Sequence, residues 1–515
     1  MDTKISETQK NEEFSSETPN MVYQESIVET GENHHLSGEK GSNRVMPSRR
    51  SDHVDDPRNW PLWGRAWVAF LVSAMGFMAQ VGSSLINPCY TIMAEDMNIS
   101  VEQASYCTTV FMLFSGFVPM LIVPFSNIYG RRNLYLICTV IAAAANIGSG
   151  AAKSYGAVIV GRVFYGIGGG IPLGIGAATI CDLFPQSERG FYMGIYTLCV
   201  NNGPHLAPIA GGYIALNLSW RWCWYIPGII QAGFVVILFF TFPETLFSRT
   251  DFSRLEKTSY LKKLFFHGKV LSGRSVVFPK DFLAPYRMCK YVAVSLPAVY
   301  WATANTYGSA LFALTGSRIA AVQYDFNVAQ TGLLMGIPLT IGCMIGETSA
   351  GWVSDWALNA YARQHNGVRK PEIRLALLPG CLLLLAGVFP YGPLVQEKKP
   401  WINLAICMGV TGVGVQMAAT MVYTYTTDCY KPQSAEVAAI INAYKSSEFY
   451  PGNALLFAFT IGFYAVPFGE TAGWNVSFPV LGTVNGLFLL GIVYLWFNGE
   501  KIRMKQGPPH MHDDL

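Results

Sequence analysis

The chain has 515 residues, of which 51% are hydrophobic, 13% aromatic and only 13% charged, too apolar and too weakly charged for a water-soluble multidomain protein of this length. A formal net charge of +3 is too small to point to nucleic acid, and the basic residues are sorted among loops rather than pooled in one patch. The 11 cysteines lie mostly within apolar segments and lack CxxC spacing, so they read as small buried hydrophobes, not as a disulfide framework or a metal site.

Residues 1–59 are rich in Ser, Glu, Asn and Lys and poor in large apolar side chains, which predicts a disordered cytoplasmic tail. They contain no charged start followed by an apolar stretch and a cleavage site, so the first membrane helix is expected to act as the insertion signal. From Ala66 onward, apolar runs of about 20 residues, the length that crosses roughly 30 Å of hydrocarbon, alternate with short polar breaks. Twelve spans are predicted. The first six run from Ala66 to Pro88, Tyr106 to Ile128, Leu134 to Ala151, Tyr155 to Cys181, Phe191 to Leu216 and Trp222 to Phe242. The second six run from Val292 to Leu314, Thr331 to Val353, Leu375 to Val395, Ile402 to Thr427, Ala443 to Val466 and Val476 to Phe497. The expected organisation is an N-terminal bundle (60–242), a central loop (243–291) with ten Lys or Arg against four acids, a C-terminal bundle (292–497) and a tail (498–515).

Positive charge is retained on the cytoplasmic side of a membrane protein. With the N-terminus inside, the inward loops hold Arg131, Arg132, Arg189, Arg363, Arg369, Lys370, Arg374 and Lys431, against Lys153, Arg221, Arg318, Lys398 and Lys399 outside. Both termini, and the central loop, are therefore predicted to be cytoplasmic. The sequons at Asn98, Asn217 and Asn475 then fall outside.

Several stretches carry more than hydropathy. The loop after span two reads Gly130-Arg131-Arg132; Gly130 suits a tight turn, and the arginines suit either headgroup anchoring or pairing with neighbouring carboxylates and helix ends. The corresponding place after span eight holds Gly351 and Asp355, which suggests an internal repeat. Arg162 lies within span four, where an arginine costs about 2.5–3.5 kcal/mol on insertion scales and usually faces a bundle interior or a water-filled path. Span five holds Asn202, Gly203, Pro204, Pro208, Gly211 and Gly212; in a bilayer such residues permit close helix packing or a bend. At helical spacing, Gln80 and Asn87 share a face of span one, Trp301 and Asn305 with Tyr307 lie on span seven, and Gln416 and Tyr423 lie on span ten. These amides and rings suit either interhelical hydrogen bonding or a lining for amphipathic or cationic organic molecules. Glu347 in span eight and Glu448 near span eleven are the deep acids able to titrate.

The Gly130-Arg131-Arg132 loop, its degenerate copy at Gly351 to Asp355, Arg162 in span four, and the glycines and prolines of span five resemble motifs of the major facilitator superfamily. Asp55 to Pro61 (D-D-P-R-N-W-P) and Pro243 to Arg249 (P-E-T-L-F-S-R) are similar to fungal twelve-span drug–proton antiporters. The resemblance covers about Asp55 to Phe497 and implies an all-α membrane protein of twelve transmembrane helices in two pseudo-symmetric six-helix bundles. With the helical faces above, substrate contacts are expected at Gln80, Asn87, Arg162, Asn202, Trp301, Asn305, Tyr307, Gln416 and Tyr423, and proton coupling through Arg162 and Glu347. Gating is implied at Gly130, Arg131, Arg132 and Asp355. One departure stands out: the family's acid in the first loop is Asn127 here, so Asp355, with Arg131, Arg132, Asp182 and Asp428, is expected to supply the lock between the halves.

The function expected is proton-driven export of a small organic solute by alternating access. An uptake permease for polyamine-like cations and a non-transporting nutrient sensor on the same fold remain open. No G-x-x-x-x-G-K-[ST] loop is present to bind ATP, and no cofactor, metal or catalytic constellation is expected. The chain is expected to act as a monomer with protons, an organic solute and the bilayer as partners, in the plasma membrane or alternatively the vacuolar membrane.

Overall fold

The computed structural model describes residues 56–247, 282, 284–365, 370–430, 434–447 and 457–507. Residues 1–55 and 508–515 of the predicted tails, most of the central loop and Glu448 lie outside the described residues, and the start of the predicted C-terminal tail, 498–506, continues the last helix. The described chain is helical: α1 (Leu62–Ser84), α2 (Tyr90–Met97), α3 (Val101–Tyr129), α4 (Arg132–Ala151), α5 (Tyr155–Leu183), α6 (Gln186–Asn217) and α7 (Trp222–Thr241) make the first half. The second half comprises α8 (Val292–Asn305), α9 (Leu311–Tyr324), α10 (Val328–Gln364), α11 (Leu378–Gln396), α12 (Trp401–Cys429), α13 (Ser434–Ser447), α14 (Phe457–Ala472) and α15 (Trp474–Gln506). Among the described residues, nine helical segments are long and apolar enough to cross a bilayer. The described residues of the other three predicted spans are also helical. Span five is the continuous α6, span seven is α8 joined to α9 through a π turn at Thr306–Ala310, and the described parts of span eleven fall in α13 and α14.

Boundaries differ from the predicted ones where polar residues sit inside a helix. Span one ends at Ser84, and Pro88 belongs to a new turn, Asn87–Cys89, from which α2 runs on. Proline lacks the amide that continuing α1 would need but fits the first turn of the next helix. The second-half elements overrun their apolar stretches: α9 ends at Tyr324, α10 runs to Gln364, and α13 begins at Ser434, nine residues before the predicted start at Ala443. Backbone hydrogen bonding carries a helix past the hydrocarbon that hydropathy detects.

An internal repeat is written into the helix starts. Asn98 and Asp325 both take left-handed backbone conformations, with φ of 52° and 51°. Two residues later Ser100 and Asn327 cap α3 and α10 in reciprocal capping boxes with Gln103 and Gln330. The second helix of each half thus begins in the same way.

The halves meet along two seams. On one, α3 packs against α14, with Tyr106 and Phe463 rings 4.6 Å apart. On the other, α6 packs against α10 through backbone: a Cβ on Gly212 would lie 2.6 Å from the Val328 carbonyl oxygen, and one on Gly336 would lie 2.8 Å from that of His205. Gly211 turns the other way, and a Cβ there would overlap the Leu85 carbonyl at the end of α1. In span five, therefore, adjacent glycines serve different contacts, one within the first half and one between halves.

That division separates the effects of two small substitutions. Gly211→Ala is expected to destabilise the first half by about 1–3 kcal/mol through overpacking, read as a lower melting temperature in detergent. Gly212→Ala is expected to leave both halves folded and to disfavour the seam with α10. In a Cys-depleted Thr331→Cys background, labelling by a membrane-impermeant maleimide should then rise. Identical melting losses with unchanged labelling would show that both glycines merely fill one core.

Candidate functional site

Between the halves lies a cavity of ≈ 70 Å³. Its polar lining comes from Gln80, Ser84 and Asn87 of the first span, His205 of α6, Asn305 at the end of α8, and Lys445 of α13. Phe111, Leu173, Met335 and Leu339 supply apolar wall. Pro204 and Pro208, one helical turn apart, also face it, so the stretch of α6 that lacks two backbone donors borders the cavity rather than lipid alone. Asn87 is oriented by its neighbours: its Oδ1 accepts from Tyr90 Oη at 2.7 Å and Thr108 Oγ1 at 3.1 Å.

Of the residues expected to bind substrate, Gln80, Asn87 and Asn305 share this lining. Trp301, Tyr307 and Tyr423 are not part of it. The Trp301 ring lies under the Lys445 ammonium at 5.6 Å and 6.3 Å from the Tyr423 ring, Tyr423 donates to Asn442 at 2.6 Å, and the Tyr307 and Tyr464 hydroxyls are 3.2 Å apart. Asn202 donates to the Leu198 carbonyl within its own helix at 3.0 Å. Gln416 donates to the Glu347 carboxylate, so these two side chains of α12 and α10 form a pair outside the cavity lining. His205 and Lys445 are lining residues that sequence reasoning missed. Lys445 carried a legible signal, an ammonium in the apolar run I-I-N-A-Y-K, and His205 sits between the two prolines of span five.

Arg162 is 1% exposed and lies outside the lining. Its Nη2 donates to Asn146 Oδ1 at 2.7 Å and its Nη1 to the Gly82 carbonyl at 3.3 Å, while the guanidinium sits 4.8 Å from the ring centres of both Tyr165 and Trp224. Asn146 donates on to Gln231 at 2.8 Å, Gln231 to Tyr165 at 3.3 Å, and Tyr165 to the Ala79 carbonyl at 2.8 Å. The network ties α1, α4, α5 and α7 together, and stacking between two rings suits the planar guanidinium.

The basic end of the bundle is organised within halves. Gly130 has φ of +94°, and any Cβ there would collide with the Glu244 carboxylate. That carboxylate accepts the backbone N–H of Arg131 at 2.9 Å and of Arg132 at 3.0 Å, closing the start of α4. Arg131 pairs with Asp182 at 3.0 Å, and Arg132 donates to the Phe239 carbonyl at 2.6 Å. In the second half Arg374 takes the corresponding place, pairing with Asp428 at 2.9 Å and Asp355 at 2.7 Å. Glu372 and Arg503 join the end of α15 to the same turn at 2.6 Å. A lock between halves is expected from Asp355 with Arg131, Arg132, Asp182 and Asp428; the described ion pairs of these residues join Arg131 to Asp182 and Arg374 to Asp355 and Asp428, each within one half. The side chain of Asn127 lies outside the described residues.

The comparisons with known proteins agree with this architecture. A profile of the Major Facilitator Superfamily matches residues 72–447. This chain belongs to the Major Facilitator Superfamily. It is 30% identical over 461 residues to the MFS-type transporter penM of Penicillium rubens, covering 88% of both chains, and 28% identical to the MFS transporter cpaT of Aspergillus oryzae, covering 87% of this chain and 89% of that one. The probable efflux pump mfs2 of Aspergillus flavus is 24% identical over 82% of this chain and 99% of its own. In fold, a bacterial homologue of the human lysosomal transporter Spinster, solved inward-facing and unoccupied, aligns with a TM-score of 0.55 at 16% identity, over 88% of this chain and 100% of that one. The protein is a multi-pass membrane transporter of the superfamily, with the small-solute role which that membership carries.

Replacing Arg162 by Ala removes two hydrogen bonds from a water-excluded network and leaves a void between two rings. A loss of about 2–4 kcal/mol is expected, read as a lower melting temperature, with Arg162→Lys intermediate because Lys lacks the planar fork. An unchanged melting temperature in Arg162→Ala, together with lost transport, would return this residue to the solute path.

Proposed function

We propose that this transporter exports small amphipathic organic molecules by alternating access, driven by protons moving inward. The observation that carries the reading is the cavity shared by Gln80, Asn87 and His205 of the first half and Asn305 and Lys445 of the second. A site built from both halves is reached from alternate sides when one half rocks on the other. The probable efflux pump from Aspergillus flavus, which this chain covers almost end to end, favours the outward direction.

For the proton, we infer that Glu347 is the carrier. It is an intramembrane carboxylate on α10, the helix of the glycine seam, and its partner Gln416 is a neutral amide that serves either protonation state. Arg162 then contributes to coupling by holding the first half rigid. The reading includes a monomer in the plasma membrane with both termini cytoplasmic, and retains the 60–242 and 292–497 bundles as the moving units.

A membrane potential supplies about 2.3 kcal/mol per charge per 100 mV, which sustains roughly a 50-fold concentration ratio. Purified full-length protein in proteoliposomes, loaded with a pH-sensitive dye, is therefore expected to move protons only when a transported aromatic solute is present. Glu347→Gln should abolish gradient-driven accumulation while leaving solute exchange at zero gradient within about twofold, since exchange needs the site but not the proton cycle. Gradient-driven accumulation that survives in Glu347→Gln would remove this carboxylate from coupling, and solute exchange that never appears in the wild type would sink the transport reading itself.

A further inference from the structure

The charge on the cavity wall points to a solute class other than the cationic one that the sequence's aromatic faces suggested. Among the described residues that line the cavity, Lys445 is the one charged group, His205 is the other ionisable base, and there is no carboxylate. Among the described residues no carboxylate lies within ion-pair distance of the Lys445 ammonium; its neighbour is the face of Trp301 at 5.6 Å. Glu347, the carboxylate of α10, is occupied by Gln416 and does not line the cavity. The amide of Asn87 is turned in the same sense. Its oxygen is taken by the hydroxyls of Tyr90 and Thr108, so the group it has left to offer is the N–H₂ donor. An ammonium drawn out of bulk water with no counter-charge among the described residues is costly, and an incoming anion relieves that cost while keeping the charge. A cationic solute would meet like charge in the same small space.

We propose that the cavity binds an amphipathic organic acid, with its carboxylate on the Lys445 ammonium and the Asn87 amide, and its apolar body against Phe111 and Leu173. This rests on the proposed reading of the cavity as the solute site and names the class of solute. An anion at this place also makes Lys445 a specificity residue on α13, in the second half, facing donors that come from the first.

The test uses three probes that share one fluorescent ring system and differ in charge: dansylglycine, dansylglycinamide and dansylcadaverine. Equilibrium binding is measured to the full-length protein in phosphatidylcholine nanodiscs, separately from transport. Wild type is expected to bind dansylglycine at least about tenfold more tightly than the amide, with dansylcadaverine weakest. Lys445→Gln should erase the difference between acid and amide, and Lys445→Arg should keep it. Lys445→Glu should reverse the order in favour of dansylcadaverine, a gain that misfolding does not produce. Failure of all three to bind wild type, equal binding of acid and amide, or preference for the amine in wild type overturns the proposal. Nanodiscs with added phosphatidylglycerol separate a free acid from a lipid headgroup. Displacement of dansylglycine by that lipid would assign the ammonium to the headgroup and overturn the solute claim, whereas unchanged affinity supports it. Selective binding of the acid with no flux would overturn the transport reading and leave the class of ligand standing.

Discussion

The contact on which the assembly depends is backbone against backbone along α6. In hydrocarbon, apolar side chains gain nothing by leaving lipid for one another, so helices adhere through close van der Waals packing, hydrogen bonds and small residues. Here the Leu85 carbonyl rests where a side chain of Gly211 would stand, and the Val328 carbonyl does the same at Gly212. Because adjacent residues on a helix point about 100° apart, two consecutive glycines let one helix touch a neighbour in its own half and another across the divide. The prolines earlier in the motif belong to the same arrangement. Pro208 presents its carbonyl to Gly332 of α10, and Pro204 borders the cavity. Seam and cavity thus adjoin along one helix, and any movement of α6 against α10 is felt at His205.

The charged end of the molecule plays a different part from the seam. Arg131 with Asp182, and Arg374 with Asp428, repeat one device in each half, tying the turn after the second span to the end of the fourth. Neither pair crosses the divide. Under the proposed alternating access, these bonds would hold each bundle together as it moved and would not have to break for the halves to rock. On that proposal, the contacts that change would be those of the two seams, α6 with α10 and α3 with α14, built of backbone, small residues and rings.

The fold was legible because hydropathy, span length and turn residues all report one constraint, the thickness of the bilayer. The site was less so. Gln80, Asn87 and Asn305 could be found because an amide on an apolar helix must either pair with another polar group or face a polar space, and these three do meet at one cavity. Arg162 stands apart from the cavity for a reason the sequence does not show: the sequence marks a buried guanidinium but not its partners, which are Asn146, the Gly82 carbonyl and two rings on other turns and helices, with Gln231 behind them. Asp355 was legible without Arg374, because the partners stand 19 positions apart on different elements. Glu244 lies in the P-E-T-L-F-S-R motif, yet a carboxylate that caps a helix 112 positions earlier leaves no local trace of that role. The repeated starts, N-I-S-V-E-Q at Asn98 and D-F-N-V-A-Q at Asp325, are readable in full and align the second span of one half with that of the other.

The cavity volume decides how binding and movement are related. Pockets that hold drug-sized ligands run to about 300–1,000 Å³, whereas the space between Gln80 and Lys445 is ≈ 70 Å³, well below that range. On the proposed reading, this conformation is too narrow for a drug-sized solute. Binding would then accompany a widening, and a ligand shifts that equilibrium only through its difference in affinity between the two forms. Lys445 supplies such a difference. In the narrow form its ammonium has the Trp301 face for company and, among the described residues, no counter-charge, so whatever brings an acceptor to it favours the wide form by the strength of that bond. On the proposed reading, recognition and opening would then be a single event, centred on the charged group that the second half contributes to the wall.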